Sequence, residues 1–329
     1  MSSSGTIGDR RGPAPATRAA LVAGGLAVLV GGIALAVVLL HSQSSAGTAA
    51  RTARLPLTPP SVLTPGFRGL AVAGHAGDVL VGLGARRDGP VDVVVVPSVG
   101  AQVRPADVRV EWRGRALSGS DATACGSGCL RFPLKVLSGA GSRLVVEVSR
   151  AGKGTRRIAV PLPARMPETA AVDFRYARAK MLRLPALGMD ETLGSGLSKP
   201  VVSTWSFAAP DRMSYSIVGG AKAVVIGTRR WDDFGTRWIR SSSPTLSVPT
   251  FPWEEARQAR FLGTATLAGT RVREVAVWLP AQSGDAPTWF VLSIAPDDSV
   301  LRSRMLTTAH FMTDTYRDFG SVPPIRPPR

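Results

Sequence analysis

The chain has 329 residues, room for two domains of ordinary size, and its 44% apolar content excludes general disorder. The formal charge of +17 rests on 35 Arg and 5 Lys that are scattered along the chain; with abundant Ala, Gly, Pro and Val this is the coding bias of a GC-rich genome, and nucleic acid is not expected as a partner. Two Cys and three His exclude a cysteine-rich metal cluster.

The first element is the run 19–40, AALVAGGLAVLVGGIALAVVLL, 22 residues without a charge. As a helix of that length it would reach roughly 33 Å, enough to cross a hydrocarbon core of about 30 Å. Arg10, Arg11 and Arg18 precede it against Asp9 alone, so the positive-inside rule places 1–18 in the cytoplasm and everything after Leu40 outside. A cleaved signal peptide has a shorter apolar region, about 7–15 residues. The small residues 46–50 nevertheless leave cleavage open as the alternative. The expected location is the cell membrane, single-pass, with the bilayer as first partner and the rest of the chain extracytoplasmic in the cell envelope. Residues 41–65, rich in Ser, Ala, Thr and Pro, read as a linker.

Short strands are expected next, at 69–74, 78–85, 92–96, 108–112, 130–136, 144–148 and 157–162. Turn signals separate them, among them Asp88-Gly89-Pro90 and Gly152-Lys153-Gly154. Seven strands at this spacing point to an immunoglobulin-like β-sandwich over 66–165. Cys125 and Cys129 flank Gly-Ser-Gly between two of the strands, and outside the cytoplasm a disulfide is their natural state.

Residues 166–329 differ in texture, with six of the seven Trp. A helix is expected over 170–184, stopped by Pro185. Strands follow at 201–208, 213–218, 221–228, 237–241, 261–267, 270–279, 288–295, 300–306 and 308–319, joined by hairpin signals such as Gly219-Gly220 and Ala268-Gly269. One helix and a long antiparallel meander predict a strongly curved sheet wrapping an apolar face.

Two resemblances attach to these stretches. Ala209-Pro-Asp-Arg-Met-Ser-Tyr215, Val224-Val-Ile-Gly227, Arg230-Trp231 and Trp238, then Gly269–Trp278, Trp289-Phe290 and Tyr316-Arg-Asp-Phe-Gly320, resemble the lipoprotein-carrier-like (LolA/LppX) superfamily in their order. The resemblance covers about the last 150 residues and implies an α+β half-barrel whose hydrophobic concavity holds acyl chains of lipids or lipoproteins. Gly74-His-Ala-Gly-Asp78-Val-Leu-Val-Gly-Leu-Gly84, with Cys125 and Cys129 after it, resembles the extracellular tail of actinobacterial copper-resistance proteins of the CopC–CopD type. The N-terminal histidine that a CopC copper site needs is not there, so no copper site is carried over.

No catalytic constellation stands out: neither G-x-S-x-G nor H-E-x-x-H occurs, so no enzyme activity and no cofactor are expected. Met305, His310 and Met312 have the ligand types of a Cu(I) site, although core filling explains the methionines equally. The candidate ligand-binding residues are Phe207, Met213, Tyr215, Ile217, Val225, Trp278, Phe290 and Leu292, apolar positions of the expected half-barrel strands. The expected whole is mainly β: a transmembrane helix, a sandwich and a LolA-like half-barrel. Its expected role is that of a membrane-anchored protein holding a lipid or other apolar ligand, with copper handling or scaffolding of envelope proteins as the alternatives.

Overall fold

The computed structural model describes residues 67–329 apart from 98–102, 127, 139–141, 281–286 and 309. The expected membrane helix over 19–40, its flanks and the linker 41–65 lie outside the described residues. Among those described, no helix is long and apolar enough to cross a membrane. The described chain is mainly β, with one α-helix.

Between residues 70 and 162 run β1 (Leu70–Ala76), β2 (Val79–Ala85), β3 (Val91–Pro97), β4 (Val108–Trp112), β5 (Arg115–Ser118), β6 (Thr123–Gly126), β7 (Cys129–Phe132), β8 (Ser142–Arg150) and β9 (Gly154–Leu162). They form a five-stranded sheet, β1-β2-β3-β7-β6, and a four-stranded sheet, β5-β4-β8-β9. The two share one core. Leu70, Val81, Leu83 and Val93 from the first sheet pack with Val110, Trp112, Leu144, Val146, Ile158 and Val160 from the second. The alternation Val108-Arg-Val110-Glu-Trp112 sends its apolar members inward, and each such side chain contributes roughly 1.5–3 kcal/mol on burial. Nine strands stand where the sequence pattern predicts seven. The additional pair, β5 and β6, are short, largely exposed edge strands without a readable apolar face.

Strand β2 is buried at every position, and β3 at its first five. An antiparallel strand with one wet face would alternate, whereas VLVGLGA is a continuous apolar run, the mark of a strand covered on both sides. Its second cover is the larger sheet. Ala71, Leu80, Val94, Cys125 and Cys129 form a further core with Trp278, Trp289 and Phe311 of that sheet. Gly82 lacks a side chain because the Trp289 ring occupies its place: a Cβ there would lie 2.2 Å from Cζ2.

The helix α1 (Ala171–Met181) is shorter than predicted. It carries Asp173 in its first turn and Arg178 and Lys180 in its last, charges that suit the helix dipole, and it buries Phe174, Ala177 and Met181 on one face. Ion pairs Asp173–Arg273, Arg178–Glu255 and Lys180–Asp297 fix its position. The strands that follow are β10 (Ala186–Gly194), β11 (Val201–Ala208), β12 (Arg212–Ile217), β13 (Lys222–Ile226), β14 (Arg229–Asp233), β15 (Trp238–Ser242), β16 (Arg257–Leu267), β17 (Thr270–Leu279), β18 (Thr288–Ile294), β19 (Val300–Thr307) and β20 (His310–Arg317). They make one antiparallel sheet of eleven strands, β15-β14-β13-β12-β11-β10-β20-β19-β18-β17-β16. The last strand, β20, is therefore inserted between β10 and β19, in the middle of the sheet. Twisted open sheets of about this width curl, which suits a sheet that wraps one face around a helix.

Candidate functional site

Cross-strand partners in an antiparallel sheet share a face, so the register sorts every strand residue of the large sheet. Phe207 pairs with Met213, Met213 with Val225 and Trp205 with Tyr215, while Ser203 pairs with Ile217. Leu187 and Met189 of β10 oppose Phe207 and Trp205. Tyr316 of β20 opposes Met189, and Met312 opposes Leu193. Met305 opposes Met312 on one side and Phe290 on the other. Phe290 opposes Val277, and Leu292 opposes Val275. All of these lie on one face, here called the inner face.

Seven of the eight predicted ligand-binding residues (Phe207, Met213, Tyr215, Ile217, Val225, Phe290 and Leu292) thus share that face. Trp278 does not. It pairs with Trp289 on the outer face, and its ring meets Phe67 edge-on with centroids 6.3 Å apart. It fastens the sheet to the sandwich. Alternation placed it wrongly because Ala276, Val277 and Trp278 are all buried, so β17 has no wet face to betray its parity.

One end of the inner face is filled by the protein itself. Trp253, fully buried, stacks on Phe251 at 4.8 Å, meets Phe174 of α1 and donates its indole N–H to the Tyr316 hydroxyl at 3.1 Å. Further along, over β11 to β13, the face is lined by Trp205, Phe207, Met213, Tyr215 and Val225, each 2–9% exposed. Trp205 lies 4.5 Å from Tyr215 between centroids and 6.1 Å from Phe207. At the edge of this lining Arg230 is held by Asp232 and donates to the Tyr215 hydroxyl at 3.1 Å.

A row of polar side chains crosses this apolar surface. Ser203 opposes Glu191, Glu191 opposes Asp314 and Asp314 opposes Ser303, all on the inner face and all only 1–3% exposed. The Ser203 hydroxyl donates to Glu191 Oε1 at 3.1 Å and accepts from the Trp205 indole at 2.8 Å. Tyr316 donates to Asp314 Oδ2 at 3.3 Å. Burial pushes the Glu191 carboxyl above the usual range against the pull of the Ser203 hydrogen bond. Burial, reinforced by Glu191, pushes Asp314 well above it. Nothing in the sequence reading marked this row. Its signal was parity: Leu187, Met189, Glu191 and Leu193 alternate as one set, as do His310, Met312, Asp314 and Tyr316, so an acid stands at an apolar position in each.

The candidate metal residues Met305, His310 and Met312 share the inner face, with Met305 directly opposite Met312 and His310 opposite Thr307. Both methionines are buried, and burial lowers the His310 pKa. Among the described residues no group of three or more His, Cys, Asp or Glu could hold a metal ion. Cys125 and Cys129 form the expected disulfide, packed in the core between the five-stranded sheet and the outer face of the large sheet.

The inner face is thus an apolar antiparallel surface closed at one end by α1 and the aromatic pair Phe251 and Trp253. Solved structures similar to the chain include LprF from Mycobacterium bovis (10% identity, TM-score 0.35, covering 49% of this chain and 98% of that one). They also include the lipoprotein LppX from Mycobacterium tuberculosis (10% identity, TM-score 0.35, 47% and 97%) and a LolA superfamily protein from Nitrosomonas europaea (11% identity, TM-score 0.24, 47% and 96%). No family model and no curated protein matches the chain.

Proposed function

We propose that the chain is a non-enzymatic binding protein that holds a lipid or other apolar ligand against the inner face of its eleven-stranded sheet. The observation that carries this reading is the continuity of that apolar face, which Phe207, Met213, Tyr215, Val225 and Trp205 carry across β11 to β13. In this reading the run 19–40 anchors the chain, the described part is extracytoplasmic, and the sandwich is an immunoglobulin-like spacer that fixes the sheet near the bilayer. Tethering would raise the effective concentration of the face beside its lipid source. The test is organic extraction and mass spectrometry of the purified full chain beside an Ala223→Trp variant. Ala223 lies on the inner face opposite Tyr215, so the larger ring would take the ligand's space. A compound held by the parent and lost from the variant supports the reading. Identical extracts from both, with no uptake of added labelled lipid by the parent, would remove it.

A further inference from the structure

Seven large apolar side chains are exposed among the described residues, and five of them collect at one edge of the large sheet. Strands β10 to β15 form a meander, so every second turn falls at the same end. At the end where β10, β12 and β14 finish, the turns are 195–200, 218–221 and 234–237, closed by the pairs Leu193–Val201, Ser216–Lys222 and Asp233–Trp238. Leu197, Val218 and Phe234 stand on these turns, Val218 and Phe234 being 75% and 61% exposed. Val202 and Ile239, the other two, are the second residues of β11 and β15, beside the first and third turns. Single exposed apolar residues are ordinary on a protein surface, but a gathering on three successive turn tips is not scatter. Neighbouring tips lie two strand spacings apart, roughly 10 Å, and their exposure shows that they do not cover one another.

Each of these turns has an exposed cation on it or next to it: Lys199, Lys222 and Arg237. Of the acids beside them, Asp232 is held by Arg230. Asp233 caps its own turn, accepting the Gly235 N–H at 2.8 Å, and faces Lys222 across the strands. The edge therefore carries a positive excess. We propose that it docks on an anionic phospholipid bilayer, the tips entering the interface and the cations lying among the phosphates. Interfacial binding grows with buried apolar area and with attraction to anionic lipid, and this edge supplies both on the same turns. A bilayer accepts apolar points spaced along a rim, whereas a folded partner would need a pocket for each. Phe234 and the half-buried Trp238 add aromatic rings, which favour the headgroup level. The 26 residues between Leu40 and Phe67 can extend to roughly 90 Å, so the anchored chain can lay this edge on its own bilayer. Strands β11 to β13, which carry the apolar lining, run to the same edge. The proposal rests on the membrane location in the reading above and not on an inner-face ligand.

The chain's two cysteines bond to each other, so one introduced cysteine takes a fluorophore uniquely. Thr236→Cys puts the reporter on the third tip, and Thr228→Cys puts it on the turn between β13 and β14 at the opposite end; both positions are exposed. The full chain, carrying an environment-sensitive nitrobenzoxadiazole, is reconstituted into phosphatidylcholine vesicles with and without phosphatidylglycerol, and doxyl-labelled lipid serves as quencher. With phosphatidylglycerol present, the reporter at 236 is expected to shift to the blue and to lose emission to the doxyl lipid, and the reporter at 228 to do neither. Leaving out phosphatidylglycerol should weaken the signal at 236. Val218→Ser with Phe234→Ser should remove it, as should Lys199→Gln with Lys222→Gln and Arg237→Gln; both variants change exposed side chains only. Equal emission from the two reporters in a chain that floats with the vesicles overturns the proposal, points the tips to a protein partner and leaves the membrane location standing. A signal at 236 that both variants keep overturns it likewise. A chain that does not float with the vesicles removes the membrane location as well.

Discussion

Glu191 and Asp314 face each other as direct cross-strand partners on β10 and β20, two buried acids on the apolar side of the sheet. Each is pushed up by burial, and Asp314 further by Glu191. An acid whose pKa is higher folded than unfolded binds more protons in the native state. Stability from this pair is therefore greatest below the unfolded carboxylate range near pH 4, and declines as pH rises from there toward the raised folded values. Other carboxylates, such as Asp78 and Asp190, are lowered and act with the opposite sign, so the pair must be isolated by difference. Asp314→Asn is expected to gain on the parent by about 1–3 kcal/mol between pH 4 and pH 8, the scale of a buried group relieved of charge. Denaturant midpoints across that range measure it. Parallel curves for parent and variant would show that the pair carries no proton linkage.

Two tryptophans separate ligand holding from assembly. Trp205 lies on the inner face and Trp278 on the outer, both nearly buried. Each truncation to Ala should cost about 3–5 kcal/mol of stability. Trp205→Ala is expected to weaken labelled-lipid uptake per folded molecule, whereas Trp278→Ala leaves it unchanged. A loss of uptake in Trp278→Ala alone would reverse the assignment of faces.

The contact of Gly82 with the Trp289 ring ties sandwich to sheet. Gly82→Ala forces a methyl into the ring position and is expected to cost about 1–3 kcal/mol. Pairing it with Trp289→Leu should recover part of the loss, a coupling visible in a double-mutant cycle of unfolding free energies. Additive losses would mean that the two residues act separately.

Alternation made the long strands legible: β11 at 201–208 and β17 at 270–279 match their predicted bounds. β10 escaped because Gly188, Asp190, Glu191 and Gly194 dilute its apolar parity, and β14 because Arg229-Arg-Trp-Asp-Asp233 has none. The polar row could not be read from either strand alone. Only the pairing of the last strand with β10, across more than a hundred residues of chain, brings Glu191 beside Asp314. Likewise the parity of Trp278 depends on the sandwich packed against its strand, a tertiary fact with no local trace.

The central claim is that the inner face holds an apolar ligand, and photo-crosslinking tests it most directly. The full chain in vesicles containing a diazirine-bearing diacyl lipid would be irradiated, digested and mapped by mass spectrometry. The account predicts crosslinks on inner-face residues of β11 to β13, above all Trp205, Met213, Tyr215 and Val225, and their loss in Ala223→Trp. Crosslinks confined to outer-face or loop residues, with the inner face bare, would contradict it.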